Sequence, residues 1–194
     1  MNDRTAPAHG GLLRPVVLIG LMGAGKSSVG HKLAELLKVG FCDSDAEVER
    51  AAGMTVAEIF ERYGEPSFRD GERKVLARLV DGPARVIATG GGAWMNAETR
   101  AAIRGRAVSV WLKADLDTLV ARTAGRSHRP ILNTGDPREI LARLISERYP
   151  VYGLADCTVE SLREQSHEAM ARRILKALKA YGRRTEPVIA EGTV

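Results

Sequence analysis

One glycine-rich segment constrains the fold of this chain more than any other. Residues 20–27 read Gly-Leu-Met-Gly-Ala-Gly-Lys-Ser and fit the pattern G-x-x-x-x-G-K-[S/T], in which backbone amides surround phosphate oxygens. The apolar run PVVLI before the segment predicts a buried strand, and residues 27–39 after it predict a helix with one apolar face. This context argues against a chance match and indicates a nucleoside triphosphate as the ligand. A dinucleotide fingerprint, G-x-G-x-x-G, fits less well because the run from Gly23 to Ser28 lacks the third glycine.

The last two residues of the motif carry its charge and metal chemistry. Lys26 would bring a flexible positive charge to the β- and γ-phosphates, and the Ser27 hydroxyl can bind Mg²⁺. The helix that follows adds the positive end of its dipole to the same place. The motif therefore predicts the phosphate donor and leaves the acceptor open.

Short apolar runs alternate with amphipathic stretches along the rest of the chain. Further strands are predicted at residues 41–43, 86–89, 107–112 and 157–159, with helices between them. Among those helices, one begins at a capping box formed by Thr55 and Glu58, and another begins at Asp115. This order predicts βαβ units and a parallel sheet covered by helices on both faces. Because glycine-rich segments follow predicted strands, we expect them on the rim of the sheet where such folds bind ligands.

The composition is typical of one globular domain spanning residues 1–194. Lys and Arg number 29 against 24 Asp and Glu, so the net charge of +5 is modest and does not require a nucleic-acid partner. No apolar run approaches the roughly 18 residues of a membrane span, and the first residues lack the apolar region of a secretory signal. Two cysteines do not make a disulfide framework, which favours a cytoplasmic protein. Residues 1–13 are expected to form a flexible arm, and residues 182–194 a flexible tail.

Three segments bear on the acceptor side of the site. Asp43 and Asp45 end the second predicted strand, where one carboxylate could lie near a metal and the other near an acceptor hydroxyl. The alternative is a helix cap with no chemistry. Arg69 lies in a predicted helix, where its guanidinium either grips a carboxylate or is a solvated surface group. Glycines 90–92 follow a strand and favour close approach of a ligand over a plain turn.

A basic segment lies in the second half of the chain. It begins at Arg122, reads RTAGRSHRPIL, and predicts either a lid that supplies arginine to the transferred phosphoryl group or an RNA-binding arm. Arg148, in the run ERYP, is either a second anchor for an anionic acceptor or a surface residue. His128 has no partner at a metal-ligand spacing and receives no role.

Taken in order and spacing, these segments resemble those of shikimate kinases. The resemblance covers residues 16–155 through GLMGAGKSSVG, FCDSD, FRDGE, TGGGA, RPIL and ERYPVY. It implies an α/β P-loop fold of the nucleoside-monophosphate-kinase type, with a five-stranded parallel sheet and a mobile lid at about residues 122–137. It also implies ATP-dependent phosphorylation of the 3-hydroxyl of shikimate on the route to chorismate and aromatic amino acids. The expected cofactor is Mg²⁺, and the expected partners are ATP and shikimate, with no nucleic acid and no membrane, for a monomer.

The resemblance further implies roles for individual residues. Those expected to bind ATP are Gly23, Ala24, Gly25, Lys26, Ser27, Ser28, Arg122 and Arg129. Those expected to bind shikimate are Asp45, Arg69, Gly91, Gly92 and Arg148, with a substrate-binding region at about residues 44–75. The expected catalytic residues are Lys26, Asp45 and Arg129, and the expected metal ligands are Ser27 and, through water, Asp43.

Three alternatives stand beside this hypothesis. The pair FCDSD and TGGGA argues against a gluconate kinase of the same fold. Intact Lys26, Asp45 and Arg129 argue against a regulatory or RNA-binding protein that has lost turnover. A structural P-loop domain docked in a larger assembly has no support in the sequence. Residues 161–166 (SLREQS) do not match the family's second adenine contact and stay unassigned.

Overall fold

The computed structural model describes residues 11–124, 135–190 and 192–193 of the chain. Its strands are β1 (Val16–Ile19), β2 (Gly40–Asp43), β3 (Arg85–Ala88), β4 (Val108–Lys113) and β5 (Cys157–Glu160). Its helices are α1 (Lys26–Leu37), α2 (Ser44–Ala52), α3 (Val56–Asp81), α4 (Ala97–Ile103), α5 (Leu116–Thr123), α6 (Pro137–Tyr152) and α7 (His167–Gly182), with a 3₁₀ turn at Ala93–Met95.

The five strands form one parallel sheet in the order β2–β3–β1–β4–β5. Strand β1 lies at the centre, where Val17 is paired with Ile87 of β3 and with Ser109 of β4. All of β1 is buried, because helices cover both faces of the sheet and leave no solvent-facing positions on a central strand. The predicted fold class is confirmed, and the loops after β1, β2 and β3 meet at one rim.

Local signals account for where several helices begin. The capping box predicted at Thr55 and Glu58 is present, with the Thr55 side chain accepting from the Glu58 N–H and the Glu58 carboxylate accepting from the Thr55 N–H. Asp115 caps α5 as predicted, accepting from the Thr118 N–H at 2.7 Å. Helix α3 is kinked at Gly64, whose φ of 76° lies in the left-handed region.

The two ends of the described chain differ from the expected flexible arm and tail. Leu12 and Val188 are each only 1% exposed, and Leu12 forms an antiparallel bridge with Ile189. The Leu13 N–H donates to the Val188 carbonyl at 2.9 Å. Burial of these two side chains supplies the stabilisation that a loose end would lack, and residues 11–13 and 188–190 are therefore attached to the domain.

Two further observations concern the chain as a whole. Among the described residues, none of the helices is both long and apolar enough to cross a membrane. Most of the predicted lid, residues 122–137, and with it Arg129 and His128, lies outside the described residues.

Candidate active site

The phosphate loop joins β1 to α1 at the rim of the sheet. Gly25 precedes the helix with φ 93° and ψ 14°, and Gly23 has φ 83°. A side chain at Gly23 would also meet Thr123 at 3.0 Å, so both conformation and space require glycine there. The Lys26 ammonium group donates to the carbonyls of Gly20 at 2.8 Å and Leu21 at 3.0 Å, which holds it across the loop.

Asp43 links the loop to the second strand. The Ser27 hydroxyl donates to Asp43 Oδ2 at 3.0 Å, and the Asp45 N–H donates to Asp43 Oδ1 at 3.1 Å. Asp43 is therefore the N-cap of α2, as one of the two sequence interpretations stated, and it also contacts the predicted Mg²⁺ ligand Ser27. A hydroxyl and a carboxylate beside a phosphate loop are the oxygen ligands that Mg²⁺ prefers, so these residues fit the ion.

Asp45 lies in the first turn of α2 and faces inward. Its Oδ1 atom is buried and has no hydrogen-bond partner among the described residues. Burial and the nearby Asp43 carboxylate raise the pKa of Asp45, and Lys26 and Arg69 oppose this rise only in part. A carboxylate with an unpaired oxygen and a raised pKa is suited to accept a proton from a bound hydroxyl group.

Arg69 of α3 is held by two glutamates. Its Nη1 donates to Glu72 at 2.8 Å, while its Nε and Nη2 donate to Glu65 Oε1 at 3.1 and 3.0 Å. Glu72 is only 2% exposed, and burial raises its pKa although Arg69 opposes the rise. The sequence analysis missed Glu72, whose signal was an acid three residues after Arg69, a spacing that usually marks a surface ion pair.

The three glycines after β3 are each approached by a different predicted site residue. A Cβ atom on Gly90 would lie 2.7 Å from Asp45 Oδ1, and one on Gly92 would lie 2.6 Å from Arg69 Nη2. A Cβ atom on Gly91 would lie 3.4 Å from Arg148 Nη1, which donates to the Gly91 carbonyl at 3.0 Å. Close approach of side chains to bare backbone explains why glycine is needed here.

A cavity of about 220 Å³ opens beside the phosphate loop. Its wall includes Gly23, Gly25, Lys26, Ser27, Ser28, Arg122, Ser161, Leu162, Gln165 and His167. Ala24, by contrast, is buried, and its N–H donates to the Leu21 carbonyl at 3.1 Å. Of the predicted ATP-binding residues that the structure describes, Ala24 is the one outside this wall.

Arg122 connects the phosphate loop to the unassigned segment 161–166. Its Nη1 donates to Ser161 Oγ at 2.8 Å and to the Gly23 carbonyl at 3.4 Å, and Ser161 Oγ donates to the Ala24 carbonyl at 3.0 Å. This segment, which has no role assigned from the sequence, thus forms one side of the cavity. No local signal marked it, because Ser161 and Arg122 are 39 positions apart.

Comparisons with known proteins all point to one family. The shikimate kinase family model matches residues 22–179. A shikimate kinase of Paramagnetospirillum magneticum is 53% identical over 92% of this chain and 91% of its own length. One of Rhodopseudomonas palustris is 54% identical over 87% of this chain and 82% of its own.

The chain belongs to the shikimate kinase family.

Solved structures support the same assignment. A shikimate kinase from Acinetobacter baumannii, in complex with shikimate, has a TM-score of 0.81 at 38% identity, over 87% of this chain and 94% of its own. A gluconokinase from Sinorhizobium meliloti has a TM-score of 0.56 at 18% identity, over 88% of this chain and 97% of its own. The second likeness shows a shared fold alone. The resemblance inferred from the sequence motifs is therefore confirmed, and the gluconate kinase alternative is not supported.

Proposed function

We propose that this chain transfers the γ-phosphate of ATP to the 3-hydroxyl of shikimate at the rim formed by β1, β2 and β3. One observation carries the proposal: the consecutive glycines 90, 91 and 92 are approached by Asp45, Arg148 and Arg69 in turn. Consecutive Cα atoms are about 3.8 Å apart, so the three side chains converge on one short stretch of backbone. The carboxylate of shikimate would therefore meet the two arginines, and a ring hydroxyl would meet Asp45.

The donor side of the proposal rests on the phosphate loop. Backbone amides between Gly23 and Ser28, together with Lys26, would bind the phosphate oxygens at the start of α1. Ser27 and Asp43 would hold Mg²⁺, which shields phosphate charge when bound. Arg122 lies against the cavity wall where the base and ribose of ATP would extend.

On the acceptor side, two arginines would bind the substrate carboxylate, and Asp45 would orient the reacting hydroxyl group. Arg69 and Arg148 would grip the shikimate carboxylate, since planar guanidinium groups present paired donors to it. Asp45 would accept a hydrogen bond from the 3-hydroxyl and take its proton as that oxygen bonds to the γ-phosphorus and the bond from the γ-phosphorus to ADP breaks. Lys26 would stabilise the charge that accumulates on the transferred group. Arg129, which lies outside the described residues, stays a predicted second cation.

The setting is proposed as a cytoplasmic monomer on the route to chorismate. Both cysteines, Cys42 and Cys157, are free, which is compatible with a reducing compartment. Size-exclusion chromatography with light scattering tests the monomer directly, because a dimer would elute at about twice the chain mass of 21.0 kDa.

A coupled ADP-release assay tests the function. The purified chain receives ATP and Mg²⁺ with shikimate, with gluconate, or with no acceptor. We expect ADP release that depends on shikimate, and phosphorus NMR of the product should show one phosphate ester. Release with gluconate alone would contradict the acceptor assignment, and ATP binding without release in any arm would contradict catalysis.

A further inference from the structure

The C-terminal end of α6 makes three hydrogen bonds with the glycine segment and the residues just after it. Arg148 Nη1 donates to the Gly91 carbonyl at 3.0 Å, and the Tyr152 hydroxyl donates to the same oxygen. The Trp94 indole N–H donates to the Val151 carbonyl at 3.1 Å, which connects the residues just after the glycines to α6. Among the described residues, no other helix donates side-chain hydrogen bonds to the Gly91 carbonyl.

Two donors on one carbonyl fix the plane of a peptide unit. A carbonyl oxygen has two lone pairs, and Arg148 and Tyr152 use both of those on Gly91. In a trans peptide unit the N–H of the next residue points opposite to the carbonyl. Holding the Gly91 carbonyl towards α6 therefore turns the Gly92 N–H away from α6. That N–H has no acceptor among the described residues and is available to a ligand.

Tyr152 is placed so that its hydroxyl has little freedom. Its side chain is 0% exposed, and its ring lies 6.0 Å from that of Trp111 in an edge-on arrangement. Burial raises the pKa of Tyr152, so the phenol stays protonated and can donate. Arg148 donates to the same Gly91 carbonyl oxygen, so the tyrosine also limits the positions that the Arg148 guanidinium can take.

We propose that Tyr152 is a positioning residue for shikimate, which acts by holding the Gly91 carbonyl and thereby directing the Gly92 N–H and the Arg148 guanidinium into the acceptor site. This inference rests on the proposed function of that site. Tyr152 itself reaches no substrate atom in this account, because its hydroxyl is used by Gly91. Its loss should therefore affect shikimate and leave ATP binding unchanged.

The test compares Tyr152→Phe with Tyr149→Phe. Tyr149 lies one turn earlier on α6, and its hydroxyl also donates to a backbone carbonyl, that of Ala114. Each variant removes one phenolic donor from the same helix, and only the first donor contacts the glycine segment. We expect Tyr152→Phe to raise the KM for shikimate by about ten-fold and to change the KM for ATP by less than about two-fold, as expected for one lost positioning hydrogen bond. Tyr149→Phe should leave both KM values within about two-fold of the unaltered chain.

Several results would overturn the inference. These are a shikimate KM unchanged in Tyr152→Phe, an equal rise for both substrates, or an equal rise in Tyr149→Phe. If Tyr152→Phe does not fold, Trp94→Phe loosens the same connection from the other side, and an unchanged shikimate KM in that variant counts against the inference. An unaltered chain without shikimate-dependent ADP release would instead refute the proposed function, and the two failures are distinguishable.

Discussion

Replacing Asp45 with Asn should lower kcat by orders of magnitude and at the same time stabilise the ligand-free protein. Asp45 carries a buried oxygen that no described residue satisfies, and its environment disfavours the charged form of the side chain. Asparagine has nearly the same shape and no charge, so it relieves the desolvation without leaving a cavity. It also cannot accept the proton of a bound hydroxyl group, so the proposed catalytic role is lost.

The expected sizes follow from the contacts of Asp45. Asparagine keeps a polar atom at this position and removes the buried charge, whose desolvation costs more than the about 1–3 kcal/mol of an unsatisfied neutral group. Attraction to Lys26 and Arg69 offsets part of that cost, and we expect a net gain of about 1 kcal/mol in the free energy of unfolding. For a chain of 194 residues this gain raises Tm by about 2–4 °C. Loss of a positioned general base lowers kcat by about 10²–10⁴.

Thermal unfolding followed by circular dichroism at neutral pH, beside the ADP-release assay, measures both effects. The matched control is Asp43→Asn, two positions away. Its two carboxylate oxygens already have partners, Asp45 N at 3.1 Å and Ser27 Oγ at 3.0 Å, so loss of its charge relieves only the repulsion with Asp45 and should raise Tm by less than Asp45→Asn does. A Tm for Asp45→Asn equal to or below that of the unaltered chain, or an equal rise in Asp43→Asn, would refute the reasoning.

Three further predictions come from the same structure. Gly92→Ala places a Cβ 2.6 Å from Arg69 Nη2 and should raise the shikimate KM about ten-fold or more, whereas Gly71→Ala, which has open space on helix α3, should leave that KM unchanged. Burial raises the pKa of Glu72 above its ordinary 4.5, so the folded chain keeps this proton longer than the unfolded chain. Stability should therefore fall as the pH rises from about 4.5 through the folded-state pKa, and urea titrations should show a flatter dependence in Glu72→Gln. Val188→Ala should lower the free energy of unfolding by about 1–2.5 kcal/mol, and an unchanged urea midpoint would show that the tail adds no stability.

Several features of the fold and of the site could be predicted from residues close together in the sequence. The run from Gly20 to Ser27 predicted a strand, a loop and a helix in that order, and β1 and α1 stand on either side of it. The caps at Thr55 and Asp115 were predicted because a capping side chain bonds to the backbone two or three residues away. Asp43 had two open interpretations, and the structure shows that one carboxylate both caps α2 and contacts Ser27.

Other features needed the assembled fold because they join distant parts of the chain. The 57 positions between Gly91 and Arg148 and the 99 between Gly23 and Arg122 carry no shared local pattern. The burial of Glu72 was equally hidden, since an acid near an arginine on a helix is most often solvated. The attachment of Val188 beside Leu12 was also unforeseen, because a short apolar run at a chain end does not reveal what it packs against.

The sequence by itself determined the phosphate loop, the alternation of strands and helices, and the family of the chain. These depend on backbone conformations and hydrogen bonds that span only a few residues. The tertiary structure alone decided which carboxylates lose their water, which side chains reach the three glycines, and how α6 holds the Gly91 carbonyl. Such properties are set by packing between elements far apart in the chain, where burial, not residue type, determines charge, proton affinity and direction.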